Sequence, residues 1–279
     1  MAPDALGPIF TAHLYAQVET QLLELLRSLS PEEWQAQTVA PKWKVKHVVA
    51  HLLDTQLRKL SAVRDRTIGP APEILSAADL VAFINYLNEE GVKAYGRLSP
   101  QVLTAMMEFA SRESAAFHQA LDPMAPALFP VSWAGEQTSL NWFDTARELT
   151  ERWHHQQQIR LAVNRPGIMT RELYQPVLDC FMRGLPHHYS GVTAPSGTLL
   201  EFVIEGDCGG SWWLYRNGEV WMLAEEKPGK AVARTSIPQE IAWRIFTKGI
   251  DRAEATTRVR LEGDTELGSR ILRLVAIIG

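Results

Sequence analysis

A chain of 279 residues is long enough for one large domain or two ordinary ones. At 46% hydrophobic and 22% charged residues it is globular in composition, which excludes a disordered tail, a collagen-like chain and a low-complexity scaffold. A net charge of −4 gives no electrostatic footprint for nucleic acid or for an anionic membrane.

The opening MAPDALGPIF lacks the basic and apolar regions of a signal peptide. Residues 9–29 then carry Leu14, Val18, Leu22, Leu25 and Leu29 at helical spacing. Ser30-Pro31-Glu32-Glu33 has the form of a helix start, with a cap, a first-turn proline and a capping-box Glu. Residues 44–65 place Val45, Val48, Val49, Leu52, Gln56, Leu60 and Val63 on one side of a further helix. Ser76 caps a helix over 77–97, and Ser99-Pro100 opens another to about 121. The stretch 122–140 is long for a loop and contains Trp133, so it is expected to pack on the bundle or border a site. Helices over 141–163 and 170–185 complete a helical bundle joined by short connections.

Near residue 190 the pattern changes. SGVTAPSGT, residues 190–198, suits a linker, so the expected division is 1–190 for the bundle and 191–279 for a smaller α/β domain. LLEFVIEGD alternates as a strand does. SWWLYRNGEVWML is two apolar runs around Asn217-Gly218, the strongest short hairpin signal. KAVART reads as a strand, Pro238 as the start of a helix, and TRVRLEGD as a further element. The terminal LRLVAIIG reads as a buried strand, or as helix passing into strand. The fold class is therefore α+β in two domains. No apolar run reaches the ~18–20 residues that span a bilayer.

The two cysteines, Cys180 and Cys208, cannot build a disulfide framework or a four-thiolate zinc site, and a reducing cytoplasm is the expected compartment. Neither has a basic neighbour in sequence, so both are expected to be structural. Of eight histidines, His47 and His51 lie four apart on one predicted helix, as Glu151 and His155 do on another. Residues at i and i+4 share a helix face, so each pair offers two donors to one ion. Two imidazoles and a carboxylate are a common set for catalytic zinc, and nickel or iron accept the same donors. Such a pair is more often merely solvated. There is also a geometric objection. Trp142, Ala146, Leu149 and Trp153 form one apolar stripe, and Glu151 and His155 lie largely opposite it. They face a cavity only if this helix is covered on both sides, which Ile159 and Ala162 allow.

The segment WKVKHVVAHLLD, residues 43–54, and the motif Glu151-Arg-Trp-His-His155 resemble the DinB-like N-terminal domain of mycothiol-dependent maleylpyruvate isomerases. GDCGGSWWL, ARTSIPQEIAWRIFTKG and the closing LEGD…LGSRILRLVAIIG resemble the sterol-carrier-like C-terminal domain of the same family. The resemblance implies a metal triad of His51, Glu151 and His155, with His47 and His154 as fallback ligands. It departs at Gln158, where the family often has Asp, which leaves the particular reaction open. It further implies a divalent metal, zinc first, and a low-molecular-weight thiol such as mycothiol or bacillithiol as cosubstrate. A metal-bound thiol is deprotonated at neutral pH and adds to an electrophilic carbon. Reversible addition gives cis–trans isomerisation, and irreversible addition gives S-transfer.

Arg244, in AWRIFTKG, resembles a position near the functional arginine of that C-terminal domain and is the candidate catalytic residue; a surface helix position is the equal alternative. Arg147 and Arg160 flank the metal helix, though intrahelical pairing is their commoner fate. Asn85 and Trp133 are pocket candidates, and His187-His188 is expected to cap a helix end or line a cleft. Gly206-Asp207-Cys208-Gly209-Gly210 lacks the lysine of a phosphate loop and reads as a turn. The partners expected are a small electrophile and a thiol, with no nucleic acid and no membrane, for a monomer or homodimer. The leading reading is a thiol-dependent S-transferase or isomerase. The alternatives are a non-catalytic carrier of an apolar ligand and a metal-dependent hydrolase.

Overall fold

The structure, a computed structural model, describes residues 3–277. Its two compact units are interleaved in sequence. One comprises Thr11–Leu128 and Glu148–Ile168. The other comprises residues 3–10, Phe129–Arg147 and Met169–Ile277.

The first unit is the helical bundle: α1 (Tyr15–Ser28), α2 (Val45–Lys59), α3 (Ala77–Tyr95), α4 (Pro100–Ala120) and the part of α5 (Asn141–Ala162) from Glu148 onward. α2 packs against both α3 and α4, and α1 packs against α4. Their apolar stripes meet in a core of Leu22, Leu26, Val48, Val49, Leu52, Leu53, Leu103, Met107 and Ile159. The predicted caps form: Ser76 Oγ accepts from Asp79 N at 3.2 Å and Ser99 Oγ from Val102 N at 3.3 Å. The capping box also forms, with Ser30 N on Glu33 Oε2 at 2.7 Å and Glu33 N on Ser30 Oγ at 3.2 Å. Yet only one 3₁₀ turn, Glu33–Gln35, follows it. The next residues make a competing set of bonds. Gln37 bridges to Lys44, its amide donates to the carbonyls of Ala40 and Trp43, and Thr38 Oγ1 donates to Trp43 O at 2.7 Å. This tight loop delivers the chain to α2. Beyond Lys59, α2 continues as a single π-turn, Leu60–Arg64.

A buried polar network crosses the bundle. Arg152, 1% exposed, lies 3.4 Å from Glu19 and 3.3 Å from Glu148, and donates to Thr55 Oγ1 at 3.3 Å. Glu148 also meets Lys59 at 3.5 Å. Glu19 accepts from Gln56 and Ser111 at 3.1 and 2.6 Å. Burial pushes the Glu19 carboxyl up, and Arg152, Ser111 and Gln56 pull it back.

The second unit holds the sheet. After α6 (Arg171–Met182) and a short α7 (Leu185–His188) come β1 (Leu199–Glu205), β2 (Gly210–Asn217), β3 (Val220–Ala224) and β4 (Ala233–Pro238). Then follow α8 (Gln239–Phe246), α9 (Arg252–Thr257), β5 (Arg260–Gly263) and α10 (Thr265–Ser269). The strand order is β3-β2-β1-β4-β5, antiparallel except for the parallel β1–β4 pair. The Asn217-Gly218 hairpin joins β2 and β3, with Gly218 at φ 59°. The glycine-rich segment 206–210 is the turn from β1 to β2. Gly209 is required there because a Cβ would sit 1.8 Å from Ile204 O.

Strands begin just past residue 198 as expected, but the packing of this unit reaches back to Met169. The cause is α6, whose Tyr174 hydroxyl donates to Gln239 O, whose Asp179 accepts from Trp212 Nε1, and whose Phe181 ring meets that of Phe246 at a tilt, centroids 5.7 Å apart. The expected C-terminal strand does not form. Arg270–Arg273 is a 3₁₀ turn and the following residues are irregular, with Ala276 N bonded to Phe246 O. Ile271, Leu274 and Ala276 are buried all the same. Apolar content predicted burial but cannot distinguish a strand from other buried chain, and β4 is already paired on both sides by β1 and β5. The last two residues of that run, Ile278 and Gly279, lie outside the described residues. Among the described residues no helix is long and apolar enough to cross a membrane.

Candidate metal centre

The site is assembled from two helices of the bundle. α2 supplies His51, and α5 supplies Glu151 and His155 one turn apart. One ligand atom from each lies within 4.8 Å of the others, close enough for one ion to be held after small side-chain adjustments. The geometric objection is answered by packing: every residue from Arg152 to Arg160 is buried, so α5 is covered on both faces. The rings of His51 and His155 meet edge-on with centroids 4.7 Å apart. Trp43, carried in by the loop after Gln37, forms one wall, 4.7 Å from His51 and 5.9 Å from His155.

The electrostatics suit a cation. Burial drives the His51 imidazole well below its usual pKa, and the neighbouring His155, Arg58 and His154 add to this against the pull of Glu151. His51 is therefore neutral at pH 7, as a ligand must be. Burial alone would raise Glu151, but His154, the 3.4 Å contact with His155 and His51 outweigh it and lower its carboxyl to about 2. One anion and two imidazoles then share a buried space. His51 Nδ1 is buried and has no hydrogen-bond partner among the described residues. An unmet buried polar atom is costly, and a bound ion with its own ligands or water would relieve this one. The residues present thus fit a divalent metal, and zinc, nickel and iron are all compatible with the donor set.

The fallback ligands have other partners. His47 Nδ1 accepts from Lys44 N at 3.3 Å, so this ring holds the first turn of α2. We expect His47→Ala to leave metal content unchanged and to cost about 1 kcal/mol in a urea unfolding curve, the usual loss for a helix cap. His154 is buried, donates from Nδ1 to Thr150 O at 2.8 Å, and lies 4.0 Å from the His155 ring. Burial first, then the charge of His155, bring its pKa down to about 3 despite Glu151.

The remaining candidates are dispersed. Arg147 pairs with Asp144 at 2.6 Å, and Arg160 donates to the carbonyls of Pro166 and Gln21, both at 3.1 Å. Asn85 is exposed on α3. Trp133 packs edge-on to Phe143 at 6.0 Å in the unit that holds the sheet. Arg244, on α8 of that unit, donates from Nε to Gly249 O at 2.9 Å. His188 donates to Arg270 O at 2.8 Å. Both cysteines are buried, and burial raises the Cys208 thiol, which is unsuited to a nucleophile. Two groups went unremarked in the sequence. Thr55 and Arg152 continue the ligand faces of α2 and α5, and the i+4 spacings His51–Thr55 and Glu148–Arg152 are the signal that locates them.

The bundle carries a two-histidine, one-carboxylate cluster between helices that could hold a metal ion. The family model "Mycothiol maleylpyruvate isomerase N-terminal domain" matches residues 15–160, from the start of α1 nearly to the end of α5, a span that includes His51, Glu151 and His155. The chain belongs to that family. Two solved structures share the fold along most of the chain. An alanine variant of the mycothiol-dependent maleylpyruvate isomerase covers 90% of this chain and 91% of its own at 12% identity, with a TM-score of 0.52. Another structure of the mycothiol-dependent maleylpyruvate isomerase covers 84% and 86% at 13% identity, with a TM-score of 0.51. No curated protein matches.

Proposed function

We propose that this chain is a metal-dependent, thiol-using enzyme that isomerises or S-alkylates through a small unsaturated electrophile. The single observation that supports it most is the convergence of His51, Glu151 and His155 in a family whose named member uses mycothiol on maleylpyruvate. His51, Glu151 and His155 would hold the ion, which when bound lowers the pKa of a thiol and favours the thiolate.

The chain's own groups then have defined tasks. Glu151 supplies the only anionic donor of the three and is half-buried beside two buried imidazoles. Trp43 offers an apolar wall beside the imidazoles, against which the planar part of an unsaturated substrate can lie. Addition of thiolate to the double bond forms a C–S bond and places the electron pair on the carbon next to the activating carbonyl. Rotation about the resulting single bond and elimination of thiolate restore the double bond in the other geometry, with no net consumption of thiol. Where elimination is blocked, a proton is taken up and the thioether is the product. In this reading residues 1–190 carry the metal chemistry, and residues 191–279 contribute Arg244 as the cation for a substrate carboxylate.

The test is turnover of a maleyl-type cis-unsaturated acid, followed by the change in its ultraviolet absorbance, with and without mycothiol or bacillithiol. The expected result is turnover that requires thiol, with Arg244→Ala raising KM tenfold or more. Hydrolysis independent of thiol would move the assignment to a metal-dependent hydrolase.

A further inference from the structure

The amide of Gln158 is buried and lies one turn beyond His155 on α5, with its Oε1 2.9 Å from His155 Nδ1. A carbonyl oxygen only accepts, so Nδ1 carries the hydrogen and Nε2 keeps its lone pair. Nε2 is the atom that faces Glu151, at 3.4 Å. We propose that Gln158 is a positioning residue that fixes His155 in its metal-binding tautomer and, being neutral, leaves the ion a stronger acid than a carboxylate at this position would. The inference rests on the metal-centre reading above.

The neighbouring amide does a different job. In the orientation that satisfies it, Gln156 donates to Val18 O and accepts from Leu22 N and Arg160, which ties α5 to α1. Gln158 instead bonds to His155, a candidate ligand of the site. Groups that hold the far nitrogen of a metal-binding imidazole set ring orientation and ligand basicity, and their loss commonly lowers metal affinity 10- to 100-fold. A carboxylate there would push electron density through the ring to the ion. An amide accepts the same hydrogen bond with less push, so a bound thiol keeps more of the ion's pull.

The experiment measures zinc affinity by chelator competition for wild type, Gln158→Leu and Gln158→Glu, together with the His155 tautomer from ¹⁵N NMR of the metal-free proteins. Wild type should show hydrogen on Nδ1. Gln158→Leu should bind zinc about 10- to 100-fold more weakly and lose the tautomer preference. Gln158→Glu should keep the tautomer and bind zinc at least as tightly as wild type. Gln158→Leu with wild-type affinity and tautomer would overturn the proposal and leave the metal centre standing. Equal weakening in both variants would show a packing role and also overturn it. Should Gln158→Leu fail to fold, hydrogen on Nε2 in wild type or weakened binding by Gln158→Glu overturns it, and the converse supports it. A wild type that takes no zinc would overturn the metal-centre reading, and this inference with it.

Discussion

Arg152→Met is expected to destabilise the bundle by about 3–5 kcal/mol, the usual cost of removing one partner of a buried ion pair. The guanidinium is 1% exposed and lies against Glu19 and Glu148, so its loss strands two carboxylates that have little access to water. Lys59 stays near Glu148 at 3.5 Å and softens that half of the loss. Ser111 and Gln56 still bond to Glu19, but neither is charged. Adding Glu19→Gln should recover part of the stability, because the second substitution removes one of the stranded charges. Urea unfolding with an unchanged m-value is the measurement. A loss below about 1 kcal/mol, the range of an exposed ion pair, would contradict the role given to this network.

Glu151→Gln carries the largest functional effect expected. The substitution keeps the shape of the side chain and removes the one negative charge of the ligand set. Changes in groups that merely support a ligand cost 10- to 100-fold, so loss of an anionic ligand should weaken zinc binding and thiol-dependent turnover by more than about 100-fold. The direction with pH follows from the same charges. Glu151 is held ionised to about 2, so the carboxylate does not limit binding near neutrality. The imidazoles must be neutral to bind, and binding releases any proton they carry, so metal retention should weaken as pH falls. A Glu151→Gln variant that retains metal and activity would show that the carboxylate is not a ligand.

Much of this was readable before the fold. The caps at Ser76 and Ser99, the Asn217-Gly218 hairpin and the i+4 pair Glu151–His155 are local, and local signals survive folding. What was not readable depends on partners distant in sequence. The box at Ser30 formed but did not start an α-helix, because Gln37 and Thr38 found carbonyls near Trp43 instead. The closing apolar run was buried without becoming a strand, since no sheet edge beside β4 was open to it. His47 has the spacing of a ligand, yet its nitrogen faces the amide of Lys44. Whether Glu151 and His155 could share an enclosed space depended on α5 being covered on both faces, and the burial of Arg152 through Arg160 shows that cover. Arg244 rests on motif resemblance alone. Its Nε donates to Gly249 O and closes that turn, and turnover by Arg244→Ala tests its role in substrate binding.

The most direct test of the account is metal content by elemental mass spectrometry of purified wild type and of His51→Ala, Glu151→Ala and His155→Ala. The account predicts close to one equivalent of a divalent metal in wild type and its loss in each variant. A wild type without metal, even after reconstitution with zinc, nickel or iron, would contradict it.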